Sequence, residues 1–561
     1  MPLRSLIVGL LLLMLWLAPV HAAEPLRLSA VTPAPAETGA MVLDNIAADL
    51  RARLEAAPTG LQAGSIRLRS PQWLATFYQR RGYRPVWLND QGRPNLLSRE
   101  LPALVAGAVA DGLDPAYYHY DELVRNLRSL RIAYAPTLHQ SANAELLLSD
   151  AFLTLGTHLL AGRLEPGTGA GRWFLEPRQR DLAALLEQAV QRRDLAGTLA
   201  GVLSPYPEYA RLRRTLAEYH ALATAGGWPR VDSGGKLELG AQGPRVSQLQ
   251  ARLQRSGDLT RSLPVAEPVR FDLGLEDAVR RFQARHGLTV DGIVGPLTLA
   301  ALNVPVEDRI RQLRVNLERW RWLPENLGER YIMVNIAGYR MQVIENGREV
   351  LRSKVIVGRD SRPTPVFSDQ MSYLVFSPYW HVPRSIAVQD KLPLLKRNPQ
   401  ALSGEGIRLF NDGREVNPSS VDWSTVSARS FPYTLRQDPG PRNALGGIKF
   451  MFPNQHSVYI HDTPTQSLFD RERRAFSSGC VRTDAPIELA EYLLRDKPDW
   501  DRERIIAASR RGRSQRVDLA RPIPVHLLYW TAWTEADGTV HFRDDIYDLD
   551  TSLVQALQSA G

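Results

Sequence analysis

The spacing of apolar residues divides the chain into a helical first half and a strand-rich second half. Over residues 66–226, leucine, alanine and valine recur every three or four positions, as in the segments that begin at Leu101, Leu146 and Leu182. Glycine and proline residues separate these segments. The pattern predicts an all-helical domain, and no group of its residues is arranged for chemistry.

A second helical unit over residues 237–303 follows a glycine-rich linker. Val246, Leu249 and Leu253 share one face of a predicted helix, a second helix ends before Gly287, and Gly295-Pro296 opens a third. The unit resembles the three-helix peptidoglycan-binding module in the phrases Val246-Ser-Gln-Leu-Gln-Ala-Arg-Leu, Phe282-Gln-Ala-Arg-His-Gly-Leu, Asp291-Gly-Ile-Val-Gly and Thr298-Leu-Ala-Ala-Leu-Asn. The resemblance implies attachment to the cell wall, which gives a location and no reaction, and a plain helical bundle is the alternative.

The hydrophobic period changes to two after a connecting helix predicted over Val315–Trp322. Ile332, Val334 and Ile336 alternate with polar residues, and Asn346-Gly347 is typical of a two-residue hairpin turn. We therefore expect a β-rich domain over residues 327–530. It should contain a helical interruption near Lys391–Gln400, and a closing hairpin should pair Leu527–Trp533 with Thr539–Phe542 around a turn at Asp537-Gly538.

The two ends of the chain differ from these domains. Arg4, the apolar run Leu6–Leu17 and the small residues up to Ala23 predict an export signal over 1–23, with an uncleaved anchor as the alternative. A flexible lead-in is expected over 24–65 and a C-terminal extension over 531–561. No other stretch looks long and apolar enough to cross a membrane.

Composition limits the class of protein without identifying it. The 561 residues are 44% hydrophobic and 23% charged, which is typical of several globular domains and excludes a disordered, collagenous or polytopic membrane protein. The net charge of +9 fits an anionic partner. Nothing beyond this charge favours nucleic acid, because no nucleic-acid-binding motif is recognised.

The chain has a single cysteine, Cys480, so an internal disulfide is impossible. It lies in Phe476-Ser-Ser-Gly-Cys-Val-Arg482, where Gly479 allows a tight turn and the nearby arginine cation favours a thiolate. His461 ends a short strand upstream and could serve as the base of a Cys–His pair. From these residues alone, a buried thiol and a hydrogen-bonded strand-end histidine remain equally good interpretations.

Longer motifs carry a resemblance to a known family. They are Val357-Gly-Arg, Thr364-Pro-Val-Phe, Ser377-Pro-Tyr-Trp-His-Val-Pro, Gly440-Pro-Arg-Asn-Ala-Leu-Gly, Lys449-Phe-Met-Phe-Pro-Asn, Tyr459-Ile-His-Asp-Thr-Pro and Ser477-Ser-Gly-Cys-Val-Arg. The region resembles the L,D-transpeptidases with a YkuD-type catalytic domain, and the whole chain resembles their large, scaffold-bearing branch. The expected fold class is multidomain α+β: a helical scaffold domain, a peptidoglycan-binding module and a β-rich catalytic domain with a capping insert at about 385–440.

The resemblance implies a cysteine acyltransferase that needs no cofactor and no metal. Cys480 is the nucleophile and His461 the general base and acid, and the main-chain N–H groups of Gly479 and Cys480 are the oxyanion donors. The reaction would expel D-alanine from a tetrapeptide stem of peptidoglycan, form a thioester and transfer the acyl group to the amine of another stem as a 3→3 cross-link. Tyr459, Arg482, Ser478 and Trp380 are the expected substrate-binding residues.

Two residues depart from the commoner family pattern. Ser478 stands where many members have histidine, and Arg482 stands where many have asparagine. These departures leave open which group orients His461. Neighbouring side chains on a strand point to opposite faces, so Asp462 is not expected to form a triad, and a backbone carbonyl is at least as good a partner. Tyr379, Trp380 and Trp423 could form apolar walls of the groove, although core packing is the better expectation for each.

Several alternatives remain open at this stage. Release of the same thioester by water gives an L,D-carboxypeptidase, and a lysine of an envelope lipoprotein is another conceivable acceptor. A non-catalytic wall tether is the rival of a different class. A zinc peptidase is disfavoured because the 11 histidines form no recognisable ligand motif. The expected location is periplasmic and wall-associated, with stem peptides and cell-wall synthases as candidate partners and membrane contact only through an uncleaved N-terminal segment.

Overall fold

A computed structural model describes residues 39–56, 60–166, 173–174, 177–260 and 270–559. The predicted export signal over 1–23 and the first part of the lead-in lie outside the described residues.

The first region is helical, as its apolar spacing predicts. Its helices pack around a core of leucine, alanine and aromatic side chains. The helices are α1 (Gly39–Ala56), α2 (Pro71–Arg80), α3 (Leu96–Gly107), α4 (Tyr120–Ile132), α5 (Leu138–Ala161), α6 (Leu182–Arg192), α7 (Leu195–Ala200) and α8 (Pro207–Thr224), and the short strands are β1 (Gln62–Ala63), β2 (Ile66–Arg67) and β3 (Trp173–Phe174).

Helix α1 corrects the prediction of a flexible lead-in over 24–65. Ile46, Leu50 and Leu54 are buried on one face of α1 and belong to the core of the helical region. The alanine-rich composition of this segment hid the regular spacing of these three apolar residues, which is what forms the helix.

Helix α5 runs through the centre of the helical region. Among the described helices, it is the one whose length and hydropathy would allow it to cross a membrane, although the sequence predicted no such stretch after the N-terminal segment. However, 89% of its most apolar 18-residue window is buried within the protein. Its N-terminus is closed by a capping box between Thr137 and Gln140. Burial on all sides explains its nearly continuous apolar sequence.

The unit over 237–303 contains the three predicted helices. They are α9 (Pro244–Arg255), α10 (Leu273–His286) and α11 (Pro296–Leu302). Val246, Leu249 and Leu253 are fully buried on α9, and Gly287 ends α10 in the left-handed conformation with φ +70°. The unit also packs on the rest of the chain, since His286 stacks on Phe542.

The connecting helix is longer than predicted. Helix α12 (Val306–Arg321) begins nine residues before the expected Val315 and packs along α8. A buried charged residue helps to explain the missed first half. Arg309 is buried with its guanidinium 4.6 Å from the centre of the Phe542 ring, so the apolar period alone did not mark this face as interior.

In the β-rich domain, eight paired strands close into a ring. The ring closes because β12 (Ile448–Met451) pairs with β7 (Val366–Phe376) on one side and with β13 (Ile460–His461) on the other. Around the ring the order is β12-β13-β15-β6-β5-β4-β16-β7. The predicted turn at Asn346-Gly347 joins β5 to β6, with positive φ at both residues. The strands are β4 (Arg330–Asn335), β5 (Arg340–Glu345), β6 (Arg348–Gly358), β7 (Val366–Phe376), β12 (Ile448–Met451), β13 (Ile460–His461), β14 (Ala475–Ser477), β15 (Val481–Thr483) and β16 (Gln515–Leu528).

Two helices and one further pairing complete this domain. Helices α15 (Pro486–Leu494) and α16 (Arg502–Arg510) follow β15 and bury Leu489, Leu493 and Ile505 in the same core. Strand β3 of the helical region pairs in parallel with β7. The helical region is therefore joined to the catalytic sheet by main-chain pairing.

An insert between β7 and β12 forms a small unit with its own core around Leu395, Leu409 and Leu435. Its helical segment begins at Arg384, earlier than the predicted Lys391–Gln400, and its sheet begins at Trp380. Its elements are β8 (Trp380–His381), α13 (Arg384–Ile386), a π-helical turn (Ala387–Lys391), α14 (Leu392–Arg397), β9 (Ile407–Asn411), β10 (Arg414–Val416) and β11 (Thr434–Gln437).

The C-terminal residues are part of the core and not an extension beyond it. β17 (Ala532–Thr534) and β18 (Val540–Phe542) form the predicted hairpin, although its first strand begins at Ala532 and not at Leu527. Phe542 and Leu553, on β18 and α17 (Leu549–Ser559), are buried in the same core as the catalytic sheet.

Candidate active site

Three adjacent strands place a row of polar side chains on one face of the sheet. Lys449 on β12 pairs with His461 on β13, and His461 pairs with Arg482 on β15. Residues paired directly across strands project to the same face. Cys480 lies two residues before Arg482, immediately ahead of β15. The sheet register therefore brings together side chains from three separate strands, with Cys480 beside them.

The turn that carries Cys480 is fixed by hydroxyl groups. The Ser477 hydroxyl donates to the Cys480 carbonyl at 2.5 Å and accepts from the Gly479 N–H at 3.1 Å. The Thr364 hydroxyl donates to the Gly479 carbonyl at 2.8 Å. Gly479 has φ +114°, a conformation that other residues rarely adopt. These three hydrogen bonds hold the turn that carries Cys480 in one conformation.

The thiol of Cys480 is protonated in this environment. Burial raises its pKa above the ordinary value, and interactions with the Tyr459 main-chain N–H and hydroxyl, then with Lys449 and Arg482, oppose that rise. The S–H donates to the Ser457 carbonyl at 3.9 Å. The sequence argument that Arg482 favours a thiolate gave the right sign for this one interaction, but burial outweighs it.

The imidazole of His461 is buried and neutral. Burial, the Arg482 charge and the Lys449 charge together lower its pKa to about 3, against the contribution of main-chain groups at Asp462 and Leu445. Nδ1 lies 2.5 Å from the Asp462 carbonyl oxygen. Because a carbonyl only accepts, Nδ1 carries the hydrogen, and the lone pair of the neutral imidazole is on Nε2.

Asp462 is turned away from the imidazole. Its carboxylate accepts from the main-chain N–H groups of Gly447 and Thr463 at 2.8 and 2.7 Å. The group that orients His461 is therefore the main-chain carbonyl of Asp462, one of the alternatives left open by the sequence.

Two cations at this site have no acidic partner within the described residues. Arg482 is mostly buried, and its Nε has no hydrogen-bond partner. Lys449 is also largely buried, with Nζ 3.9 Å from the centre of the Tyr459 ring, and burial lowers its pKa. Sequence reasoning missed Lys449, although a single lysine inside the apolar strand Ile448–Met451 was a usable signal.

Tyr459 connects the thiol to the insert. Its ring lies 5.6 Å from the His461 ring, and its hydroxyl faces the sulfur of Cys480. The Trp380 indole, at the start of the insert sheet, interacts with the same hydroxyl. Burial and the neighbouring thiol raise the pKa of Tyr459, so the phenol remains a neutral hydrogen-bond donor.

These residues line one cavity of about 510 Å³ between the sheet and the insert. Arg362 holds the insert beside the nucleophile, since it donates to Asp390 of the insert at 2.5 and 2.8 Å and to the Ser478 hydroxyl at 3.0 Å. The predicted residues that line this cavity are Cys480, His461, Tyr459, Arg482, Ser478 and Trp380.

The predicted oxyanion donor Gly479 lies outside the cavity lining, as do Trp423 and Tyr379, for which core packing was the better expectation. Gly479 is absent from the cavity lining, and its N–H already donates to Ser477, so it is not a free oxyanion donor in this structure. Trp423 is buried in the core of the insert, where its indole donates to the Pro418 carbonyl. Tyr379 is 41% exposed and packs against Arg436 outside the cavity.

In the part of the chain that the structure describes, no three His, Cys, Asp or Glu side chains are grouped so as to hold a metal ion. The polar groups that line this cavity include the Cys480 thiol, the His461 imidazole, the Tyr459 phenol and the Arg482 guanidinium, together with Asp390 and Lys391 of the insert. Such a set can form an acyl-thiol intermediate and bind an anionic peptide substrate.

Three family models match successive parts of the chain. A scaffold domain matches residues 72–216, a "Putative peptidoglycan binding domain" matches residues 242–302, and the YkuD L,D-transpeptidase catalytic domain matches residues 329–506.

Curated relatives agree with these matches. The chain is 37% identical over 246 residues to a "Putative L,D-transpeptidase" of Haemophilus influenzae, which covers 43% of this chain and 49% of the relative. It is also 41% identical over 81 residues to the N-acetylmuramoyl-L-alanine amidase CwlM of Mycobacterium tuberculosis, covering 13% of this chain and 20% of that protein. The chain thus spans half or less of the length of each of these relatives.

Among solved structures, an L,D-transpeptidase from Stackebrandtia nassauensis is 14% identical and covers 54% of this chain and 96% of that one, with a TM-score of 0.21. An L,D-transpeptidase from Mycobacterium smegmatis is 14% identical and covers 36% of this chain and 58% of that one, with a TM-score of 0.19. From the family models, the chain carries a scaffold domain, a peptidoglycan-binding domain and, over residues 329–506, a catalytic domain of the YkuD L,D-transpeptidase family.

Proposed function

We propose that this protein is a peptidoglycan L,D-transpeptidase that forms 3→3 cross-links between stem peptides through a thioester on Cys480. The observation that carries the proposal is the convergence of Cys480, His461, Tyr459 and Arg482 on one cavity beneath the insert. A nucleophile, a base with a free lone pair and an unpaired cation are what acyl transfer from an anionic peptide requires.

We assign His461 as the base because the lone pair of its neutral imidazole is on Nε2. As the Cys480 sulfur attacks the carbonyl carbon of the third stem residue, the thiol proton passes to Nε2. The resulting imidazolium then protonates the amine of the departing D-alanine, and the C–N bond breaks to leave the thioester. The main-chain carbonyl of Asp462 keeps Nδ1 protonated throughout.

The second half of the reaction reverses these proton transfers. The side-chain amine of an acceptor stem attacks the thioester carbonyl and gives its proton to His461. The C–S bond breaks, the new amide forms, and the sulfur recovers a proton from the imidazolium. No cofactor and no metal takes part in this scheme, and the choice between amine and water decides between cross-linking and carboxypeptidase activity.

The tetrahedral intermediates need hydrogen-bond donors for their oxyanion. In the nucleophile turn the Gly479 N–H donates to Ser477 and the Val481 N–H donates to the Tyr459 carbonyl at 3.1 Å. The N–H of Cys480 lies between these two and is the remaining main-chain donor. We assign the oxyanion to this N–H, with the Tyr459 hydroxyl as a second donor.

Arg482 and Lys449 are the proposed binding groups for a stem carboxylate. Both cations lower the pKa of His461. A bound carboxylate would compensate their charge and raise that pKa, so the base would become stronger when substrate is present. The empty enzyme would keep a neutral thiol and a neutral imidazole, which protects the single thiol from unproductive reactions.

The proposal is tested by incubating the purified protein with disaccharide-tetrapeptides and resolving the products by mass spectrometry. Cross-linked dimers that have lost one D-alanine support the transpeptidase. Disaccharide-tripeptide alone would show that the enzyme is an L,D-carboxypeptidase. Absence of turnover by folded protein would contradict both activities and favour a non-catalytic wall tether.

Cys480→Ala should reduce product below detection, by at least about a thousandfold, because no other residue can form the thioester. Ser129→Ala, at an exposed position on α4, is the matched control and should retain full turnover. Equal activity of the two variants would exclude Cys480 as the nucleophile.

We further propose that the protein acts in the periplasm, with α9–α11 attached to peptidoglycan and cell-wall synthases as candidate partners. A groove beside α11 includes the exposed cations Arg230 and Lys236. Reversing both to glutamate should weaken pelleting with isolated sacculi and leave turnover of soluble stems unchanged. Lys396→Glu on the insert is the control, and undiminished pelleting of the double variant would contradict this surface.

A further inference from the structure

A second cavity, which is not lined by Cys480 or His461, has no role in the proposed reaction. It has a volume of about 470 Å³ and lies where the helical region, α12 and the C-terminal helix α17 meet. Five arginines line it against only two acidic residues, Asp114 and Glu318. We call it the arginine cavity, and its arginines are Arg69, Arg163, Arg311, Arg314 and Arg321.

Two of the five arginines already have acidic partners. Arg321 forms a buried ion pair with Glu318 at 2.6 Å, and Arg311 pairs with Asp308. Glu318 is further occupied, because it accepts from the main-chain N–H of Leu164 at 2.9 Å. The Glu318 carboxylate is therefore already bound by Arg321 and by the main-chain N–H of Leu164.

The other three arginines have no ion-pair partner within the described residues. Arg69 and Arg163 both stack on the ring of Tyr117, with their guanidinium carbons 3.7 and 4.0 Å from its centre. Nε and Nη2 of Arg163 are buried and have no hydrogen-bond partner. Nε of Arg314 donates to the Gly112 carbonyl at 2.8 Å. One aromatic ring shared by two cations only partly compensates their charge.

The positive charge of these arginines lowers the pKa values of neighbouring basic groups. His158 is buried behind Tyr118, and its pKa falls to about 3 through burial together with the charges of Arg163, Arg321 and Arg69. The pKa of Arg314 is lowered by burial and by Arg163 and Arg321, while Asp114 opposes the change. Unpaired guanidinium groups that lower the pKa values around them create a favourable place for an anion.

We propose that the arginine cavity is a binding site for a phosphoryl group. Arg69 and Arg163 are positioned by the Tyr117 ring and Arg314 by its bond to the Gly112 carbonyl, and planar guanidinium groups bind phosphate oxygens in pairs. A doubly charged phosphoryl group satisfies several cations at once, whereas a single carboxylate carries one charge. Leu113, Val315 and Leu557 leave an apolar wall against which the rest of a phosphate ester can pack.

A ligand in this cavity would touch three segments that are distant in the sequence. Arg69 precedes α2, Arg314 belongs to α12, and Leu557 belongs to α17. Binding should therefore hold the helical region against the helix that leads into the catalytic sheet. The phosphoryl group could be free or could belong to a lipid headgroup.

The test is calorimetric titration of the full chain with inorganic pyrophosphate at low ionic strength. The wild type should bind one equivalent, with an affinity that falls as salt increases. Arg163→Gln and Arg69→Gln should each weaken binding at least tenfold. Arg128→Gln, an exposed arginine on α4, should bind like the wild type. Thermal melting without ligand checks that each variant is folded.

A second arm distinguishes the source of the phosphoryl group. Cosedimentation with vesicles that contain phosphatidic acid, a phosphomonoester, would identify a lipid headgroup if it is lost in Arg163→Gln but not in Arg128→Gln. Pyrophosphate binding without such cosedimentation would identify a free phosphate compound. Failure of pyrophosphate and vesicles alike to bind, or equal binding by Arg163→Gln and Arg128→Gln, would overturn the proposal.

Discussion

The cavity of the candidate active site and the arginine cavity are both lined by arginines that lack acidic partners, yet they differ in the groups beside these arginines. At the candidate active site, Arg482 and the nearby Lys449 flank a thiol and a neutral imidazole. In the arginine cavity, Arg69 and Arg163 stack on the Tyr117 ring, and no nucleophile is present among the residues that line it. A cation without an acidic partner is enough to favour the binding of an anion. A catalytic site also requires a nucleophile and a base next to that cation.

Among variants that keep Cys480, the largest effect should come from removing the base. His461→Gln removes the Nε2 lone pair and should lower turnover by about a thousandfold, within the range typical of lost general acid–base catalysis. Steady-state kinetics on soluble tetrapeptide substrate provide the measurement. His139→Gln, at an exposed position on α5, should be unchanged. Less than a tenfold loss in His461→Gln would show that another group takes the thiol proton.

A smaller effect is expected from Lys449, which distinguishes the two cavities directly. Lys449→Met should weaken substrate binding and lower kcat/KM by roughly tenfold, as expected for one lost charge-assisted contact. Arg163→Gln in the arginine cavity should leave kcat/KM for soluble stems unchanged. Similar losses in both variants would mean that the arginine cavity acts on the catalytic site.

The pH dependence of thiol alkylation tests the charge state of the empty site. Because the pKa of Cys480 is raised, the thiolate fraction should increase about tenfold per pH unit through neutral pH, without a plateau below the ordinary thiol range. Because the pKa of His461 is about 3, no step should occur between pH 5 and 7. Lys449 lowers the pKa of the thiol, so Lys449→Met should shift the profile to higher pH.

Iodoacetamide labelling followed by mass spectrometry gives the required rates, with Lys236→Met as the control. A plateau of rapid alkylation near pH 5 would indicate a thiolate–imidazolium pair and would contradict the neutral site.

The smallest effect is expected from the contact between the insert and the nucleophile turn. Asp390 pairs with Arg362 at 2.5 Å and is about one-third exposed, so its loss should cost roughly 1 kcal/mol or less. Asp390→Asn should raise KM severalfold and leave kcat nearly unchanged. Asp412→Asn, exposed at another turn of the insert, is the matched control. A large fall in kcat would show that the ion pair also shapes the nucleophile turn.

Much of the fold follows from local patterns in the sequence. The buried positions Val246, Leu249 and Leu253 and the turn at Asn346-Gly347 are confirmed, because helix faces and two-residue turns depend on neighbouring residues. The burial of α1 and of the last thirty or so residues was missed. Composition describes the average character of a segment, whereas burial depends on which distant surface it contacts.

The candidate site also depends on contacts between distant segments that the sequence alone does not predict. Motifs around His461 and Cys480 indicated the reacting pair, but the position of Lys449 beside them depends on strand β12 pairing with β13. Sequence periodicity does not specify which strands are neighbours. The hydrogen bond from the Gly479 N–H to the Ser477 hydroxyl was equally hidden, since it depends on the conformation of a single turn.

The most direct test of the central claim is intact-protein mass spectrometry of the enzyme mixed with disaccharide-tetrapeptide and quenched in acid. The thioester mechanism predicts a mass increase equal to the mass of the substrate minus that of D-alanine. Peptide mapping should locate this adduct on Cys480, and hydroxylamine, which cleaves thioesters, should remove it. The adduct should be absent from Cys480→Ala. An adduct on any other residue, or turnover without an adduct in Cys480→Ala, would contradict the thioester mechanism.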